Sequence, residues 1–222
     1  MNPKARTPFR FCTRLALTLL TGRKAASLGE LVAGLKAVPD SVVYQHTHRY
    51  LYQHQFLVPE PPNDFAYWTT HILGNEALGE RLAAVDTVRF NTLAGLREAL
   101  LAVLEKEMAE NEDDRRVPEG KEFHFMGAVR FSIPTPHEAR DLAEFCDQLK
   151  VVGISSLYLH IFEARLRPPL GINDFSNWFE TELNLPRLAK KVSSLDPYTQ
   201  TLEGLRSKIV RLVEEELTYG PA

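Results

Sequence analysis

The residues with the most chemistry per unit length are Tyr44 to Phe56, YQHTHRYLYQHQF. Three histidines and three tyrosines fall in thirteen residues there, with Asp64 and His71 shortly after. Imidazole and carboxylate are ordinary ligands of zinc and iron, and imidazole is the usual proton carrier near neutral pH. Spacing decides between these uses. On a helix, His46 and His48 stand two residues apart and point to nearly opposite sides. His46 and His54 share a side loosely but lie roughly 12 Å apart along the axis. Bonds of about 2 Å cannot bridge that gap, so a helix here holds no metal. As a strand, the segment would put His46, His48 and Tyr50 on one face, about 6.6 Å apart, and a site would be conceivable. We adopt the reading without metal or cofactor.

Other side chains suit other chemistry. Asp64 with Asp174, and Asp86 with Asp196, are carboxylate pairs of the kind used in general acid–base work. The plainer reading is that each opens or caps a helix. Trp68 and Trp178, with Asn63 and Asn173 nearby, could stack on a sugar; the plainer reading is core. Cys12 and Cys146 form neither a CxxC pair nor a disulfide framework, so the default is a reducing, cytoplasmic compartment. No phosphate-cradling glycine loop, GxSxG or HExxH occurs.

The elements that must position these groups are written twice. FRFCTRLALTLLT (Phe9 to Thr21) lies over FHFMGAVRFSIPT (Phe123 to Thr135). SLGELVAGLKAV (Ser27 to Val38) lies over DLAEFCDQLKVV (Asp141 to Val152), and SVVYQH (Ser41 to His46) over SSLYLH (Ser155 to His160); all three share an offset of 114 residues. NDFAYW then lies over NDFSNW at offset 110, and TLAGLREALLAVLEKEM over TLEGLRSKIVRLVEEEL at offset 109. We read an internal duplication: a first repeat at 1–108, a charged linker at 109–122 and a second repeat at 123–222. The alignment bears on the histidines. His46 recurs as His160 and Tyr44 as Tyr158, but His48 falls over Phe162 and His54 over Pro168.

Within each repeat the alternation of Phe123, Phe125, Val129, Phe131 and Ile133 predicts one strand, closed by Thr21-Gly22 or Thr135-Pro136. An amphipathic helix follows, from Leu28 or Leu142. The Tyr-x-His segment reads as a helix in both repeats, with Ser41 and Ser155 as N-caps. After a proline-containing loop, NDFxxW opens another helix, capped by Asn63 or Asn173. A short helix (78–85; 188–195) and a long terminal helix complete the repeat. The fold class is mainly α with a few short β-strands, as two tandem pseudo-repeats about a pseudo-twofold axis. The histidines and tyrosines of the two repeats then meet near that axis, with Arg49 set to pair with Glu163.

Composition sets outer bounds. With 44% hydrophobic residues, 25% charged residues and net charge -3, the 222-residue chain is an ordinary globular sequence. No basic bias recommends nucleic acid or an anionic membrane surface as partner. Lys4, Arg6 and Arg10 precede the apolar Leu15–Leu20 run, which looks faintly like a signal peptide, but its counterpart lies mid-chain, so both copies read as structure.

HTHRYLYQHQFLVPEPPNDFAYW, the second NDFSNW and LDPYTQTLEGLR together resemble an uncharacterised bacterial and archaeal family filed as a domain of unknown function. That resemblance covers nearly the whole chain and implies no catalytic residues. The expectation is a non-catalytic binding, docking or regulatory protein, its partner a protein or a small molecule. The alternative is a hydrolase or transferase with a polar cleft between the repeats. In either case the candidate ligand-binding side chains are Tyr44, His46, Asn63, Asp64 and Trp68, with Tyr158, His160, Asn173, Asp174 and Trp178.

Overall fold

The computed structural model describes residues 4–49, 62–87, 89–111, 115–166, 171–195 and 201–220. His54, Pro168 and Asp196 lie outside them. Among the described residues the chain is mainly helical, with one two-stranded sheet.

Strand β1 spans Phe9–Ala25 and β2 Phe123–Ala139, 17 residues each. The few short strands expected from the sequence are therefore two long ones. They run on past Thr21-Gly22 and Thr135-Pro136, where turn residues predict an end. Each of these threonines is used inside the sheet. Thr21 Oγ1 donates to the Phe125 carbonyl, and Thr135 Oγ1 donates to the Phe11 carbonyl at 2.6 Å. One index falls as the other rises, so the pairing is antiparallel.

The helices after β1 are α1 (Leu28–Ala37), α2 (Asp40–Tyr44), α3 (Asp64–Trp68), α4 (Glu76–Ala83) and α5 (Leu93–Glu110). Those after β2 are α6 (Leu142–Val151), α7 (Ile154–Ile161), α8 (Asp174–Thr181), α9 (Pro186–Ser193) and α10 (Leu202–Tyr219). Caps set most starts. Ser27 and Asp141 accept from Glu30 N and Glu144 N, and those glutamates reach back to the amides of Ala26 and Arg140. Thr92 and Thr201 cap α5 and α10. Ser41 and Ser155 are not caps: α2 follows Pro39 and α7 follows Gly153, so both serines fall inside the first turn. α2 and α3 each continue as a π-helical turn, Gln45–Arg49 and Thr69–Leu73, a form often found at functional positions.

The chain divides into two compact units, named here for their place in the sequence. The central unit takes the chain from Ala16 to Arg130; the terminal unit takes it up to Leu15 and from Phe131 onward, as far as residues are described. The terminal unit thus joins its helices to strand residues from the start of the chain, and the central unit joins its helices to the strand residues that flank them on both sides. In the central unit α1 packs on α5 and α3 on α4; in the terminal unit α6 packs on α10 and α8 on α9.

Candidate functional site

In the central unit, Asn63 begins the site. Its side chain accepts from Ala66 N at 2.9 Å, capping α3, and its amide donates to the Leu82 carbonyl. The cap fixes Asp64 on the first turn. Asp64 Oδ2 lies 2.7 Å from His46 Nδ1, and His46 Nε2 lies 2.9 Å from the amide nitrogen of Met126 on β2. A backbone amide can only donate, so Nε2 carries the lone pair and the proton sits on Nδ1, directed at the carboxylate. One turn along, the Trp68 indole donates to the Lys121 carbonyl at 2.8 Å. Between these polar contacts lie Phe123 and Phe125. The Phe123 ring centroid is 4.7 Å from that of His46 and 5.1 Å from that of Phe65.

The terminal unit repeats the cap, the His–Asp contact, the strand amide and the indole contact at matching positions, while among the described residues the Asn173 side-chain amide lacks the counterpart of the Leu82 contact. Asn173 caps α8 by accepting from Ser176 N at 2.8 Å. His160 Nδ1 lies 2.6 Å from Asp174 Oδ2, and His160 Nε2 accepts from the Cys12 amide at 2.9 Å. The Trp178 indole donates to the Thr7 carbonyl at 2.9 Å. Phe9 is 4.9 Å from the His160 ring, 5.3 Å from Phe175 and 5.6 Å from Trp178. His46, His160, Trp68 and Trp178 are each at most 5% exposed.

This arrangement limits the chemistry. An aspartate holding Nδ1–H is how a catalytic imidazole is oriented, but the work is then done by the Nε2 lone pair. Here that lone pair is spent on a strand amide in both units. The indole N–H groups are likewise spent on backbone carbonyls, those of Lys121 and Thr7 two residues before each strand, and the rings of Trp68 and Trp178 pack among phenylalanines. Asp64 and Asp174 stand in the first turns of α3 and α8, where the helix dipole favours negative charge, and the same carboxylates hold the imidazoles.

Tyr44 and Tyr158 are fully buried and sit under guanidinium groups. Arg130 lies 4.3 Å from the Tyr44 centroid and Arg14 lies 4.9 Å from that of Tyr158. Arg14 also forms a buried ion pair with Glu163 at 2.8 Å, while Arg49 donates to Thr18 and Gln45. These are the partners that Arg49 and Glu163 take within their own units. The two arginines over the tyrosines carry no sequence signal, since Arg14 aligns with Ala128 and Arg130 with Ala16. The strand residues did carry one: Phe-x-Phe recurs at the shared offset, and it is what the histidines and tryptophans hold.

His48 diverges from His46, as two-residue spacing predicts. Its ring stacks on Tyr44 at 5.9 Å and its Nδ1 lies 3.0 Å from Thr47 Oγ1. Burial, and secondarily the charge of Arg130, push its pKa down to about 4 from 6.5. The unfolded chain therefore binds the extra proton first. Stability is complete above about pH 6.5 and falls as pH drops through 4, by about 3 kcal/mol at most from this group. Urea titrations at pH 7.5 and pH 4.5 should show a smaller difference for His48→Phe than for the wild type. Equal differences would contradict the assignment.

The His71 ring lies 4.7 Å from that of Tyr67, tilted by 56°. Among the described residues no three His, Cys, Asp or Glu side chains converge as a metal site. A cavity of about 530 Å³ lies elsewhere in the central unit, lined in part by Asn75, Arg81, Glu107 and Asn111. Burial alone would push the Glu107 pKa up, but hydrogen bonds from Asn75, Arg81 and Asn111 outweigh it and hold the carboxyl below its usual range. None of the ten candidate side chains lines this cavity.

The fold and site define a mainly helical protein in which buried Asn-Asp/His/Trp sets grip a long two-stranded ribbon. Residues 6–214 match the model of a family of unknown function, DUF5752, and the chain belongs to that family. It is similar to OrfY from Thermoproteus tenax, with 31% identity over 96% of each chain and a TM-score of 0.82. No curated protein matches. Among the described residues no helix is long and apolar enough to cross a membrane.

Proposed function

We propose a non-catalytic, cytoplasmic binding or docking protein made of two fused repeats. The observation that carries this reading is the closure of both imidazoles: each has Nδ1 on an aspartate and Nε2 on a strand amide. A proton-transfer site would need one of those nitrogens open to a substrate. The repeat reading is supported by the recurrence of cap, dyad, indole contact and phenylalanine pair at matched positions. A binding role is supported by the apolar side chains left in solvent: Leu15, Leu17 and Leu19 on β1, and Val129, Phe131 and Ile133 on β2.

The fused-repeat reading has a direct test. A specific protease sequence is inserted between Asn111 and Arg115 and cut after folding. Each helix set grips strand residues from the other fragment, so the cut protein should remain one particle of about 25.2 kDa in native mass spectrometry. Separation of the fragments under native conditions would overturn the reading.

A further inference from the structure

The two repeats part at one buried spot. In the central unit the Asn63 side-chain amide donates to the Leu82 carbonyl at 3.2 Å, which ties the start of α3 to α4. At the shared offset of 110 residues the matching positions in the terminal unit are Asn173, the cap of α8, and Val192 on α9. Asn173 keeps its cap, since its Oδ1 accepts from Ser176 N at 2.8 Å. Its Nδ2 has no acceptor among the described residues, although the residue is 0% exposed. The neighbouring side chain differs as well. Ala66 aligns with Ser176, which is 2% exposed and whose Oγ likewise has no partner among the described residues.

These two orphaned atoms are close to one another. The cap bond sets the amide head of Asn173 beside Ser176, so Nδ2 and Oγ fall within the span of one bridging molecule. Buried amides and hydroxyls are nearly always paired, because leaving them dry forfeits the bonds they make in water. Chemistry narrows the occupant. A metal or ammonium ion cannot accept from an N–H donor, and an anion would face the Asp174 carboxylate at the next position. What remains is a small neutral molecule that both accepts and donates, which is water. A third partner is at hand. The Val192 carbonyl accepts from Leu195 N at 3.3 Å, as Leu82 does from Val85 N, and like Leu82 it can take a second donor.

We propose that the terminal unit holds one structural water, which accepts from Asn173 Nδ2, bonds Ser176 Oγ and donates to the Val192 carbonyl, and that the central unit has no such site. The water does for α8 and α9 what the direct Asn63–Leu82 bond does for α3 and α4. The inference rests on the repeat alignment and goes beyond the binding reading above, which stands or falls without it.

A high-resolution crystal structure of the full chain tests it. The expected result is a fully occupied water within hydrogen-bonding distance of Asn173 Nδ2 and Ser176 Oγ, and none between Asn63 and Ala66. Ser176→Ala should lose that water, with Asn173 Nδ2 turning directly to the Val192 carbonyl. In solution, the Asn173 side-chain amide should show a nuclear Overhauser contact to a long-lived water, and the Asn63 amide should show none; without crystals this measurement decides alone. A direct Asn173–Val192 bond in the wild type, an empty spot, a water that persists unchanged in Ser176→Ala, or the absence of the Asn173 water contact in solution overturns the proposal.

Discussion

Replacing Phe125 with alanine should lower the unfolding free energy by about 3–5 kcal/mol, a large part of the 5–15 kcal/mol a domain of this kind has to lose. Phe125 is 1% exposed and stacks edge-on against Phe123 at 5.1 Å. Its ring tip lies so close to Gly34 on α1 that a Cβ there would overlap it. The cost combines lost burial with the cavity left where the ring packs against α1. Phe11 occupies the corresponding place in the terminal unit, 0% exposed and 5.5 Å from Phe145. Gly34→Ala should destabilise by the opposite route, pushing Phe125 out of its slot. Urea denaturation with an unchanged slope would measure both. A loss below about 1 kcal/mol for Phe125→Ala would show that the ring is not enclosed as described.

The second large effect is at the imidazoles. His46→Ala removes one side chain and with it the partner of two polar groups, the Met126 amide and the Asp64 carboxylate. The Asp64 side chain, 28% exposed, can turn to water, so the cost comes from the Met126 amide left without its acceptor, about 1–3 kcal/mol, and from the volume the buried ring vacates. The expected loss is about 3–5 kcal/mol, and His160→Ala should match it. Asp64→Asn is the informative contrast. An amide oxygen still accepts from Nδ1–H, so the imidazole stays oriented and the loss should be near 1 kcal/mol. Thermal and urea unfolding of the three variants check the order. A loss from His46→Ala no larger than that from Asp64→Asn would mean the strand amide is not held by the ring.

Much of this was legible in the sequence, for identifiable reasons. The NDFxxW segments read as capped helix starts because an asparagine before an acidic residue and an apolar stripe has few other uses, and Asn63 and Asn173 cap as expected. The Leu93 and Leu202 stripes are regular enough to fix α5 and α10 to within a residue or two. Laying His48 over Phe162 separated it from His46, and the structure gives those two rings different partners. What could not be read was contact across long separations. Nothing local tells that His46 meets Met126 eighty residues later, or that Phe9 packs against helices that begin beyond residue 140. The strands also outran their turn signals, because Thr21 and Thr135 bond across the sheet where their neighbours Gly22 and Pro136 predict a stop. The ten candidate side chains do form two sets, but most of each set closes on the chain itself.

The most direct test of the account is the tautomer of His46 and His160, read by nitrogen-15 NMR of the full chain near pH 7.5. The account predicts that both rings carry their proton on Nδ1, and that each Nε2 shows coupling through the hydrogen bond to the amide nitrogen of Met126 or Cys12. An Nε2-protonated ring in either unit, or an Nε2 open to solvent and uncoupled, would contradict it and return these histidines to the list of candidate proton carriers.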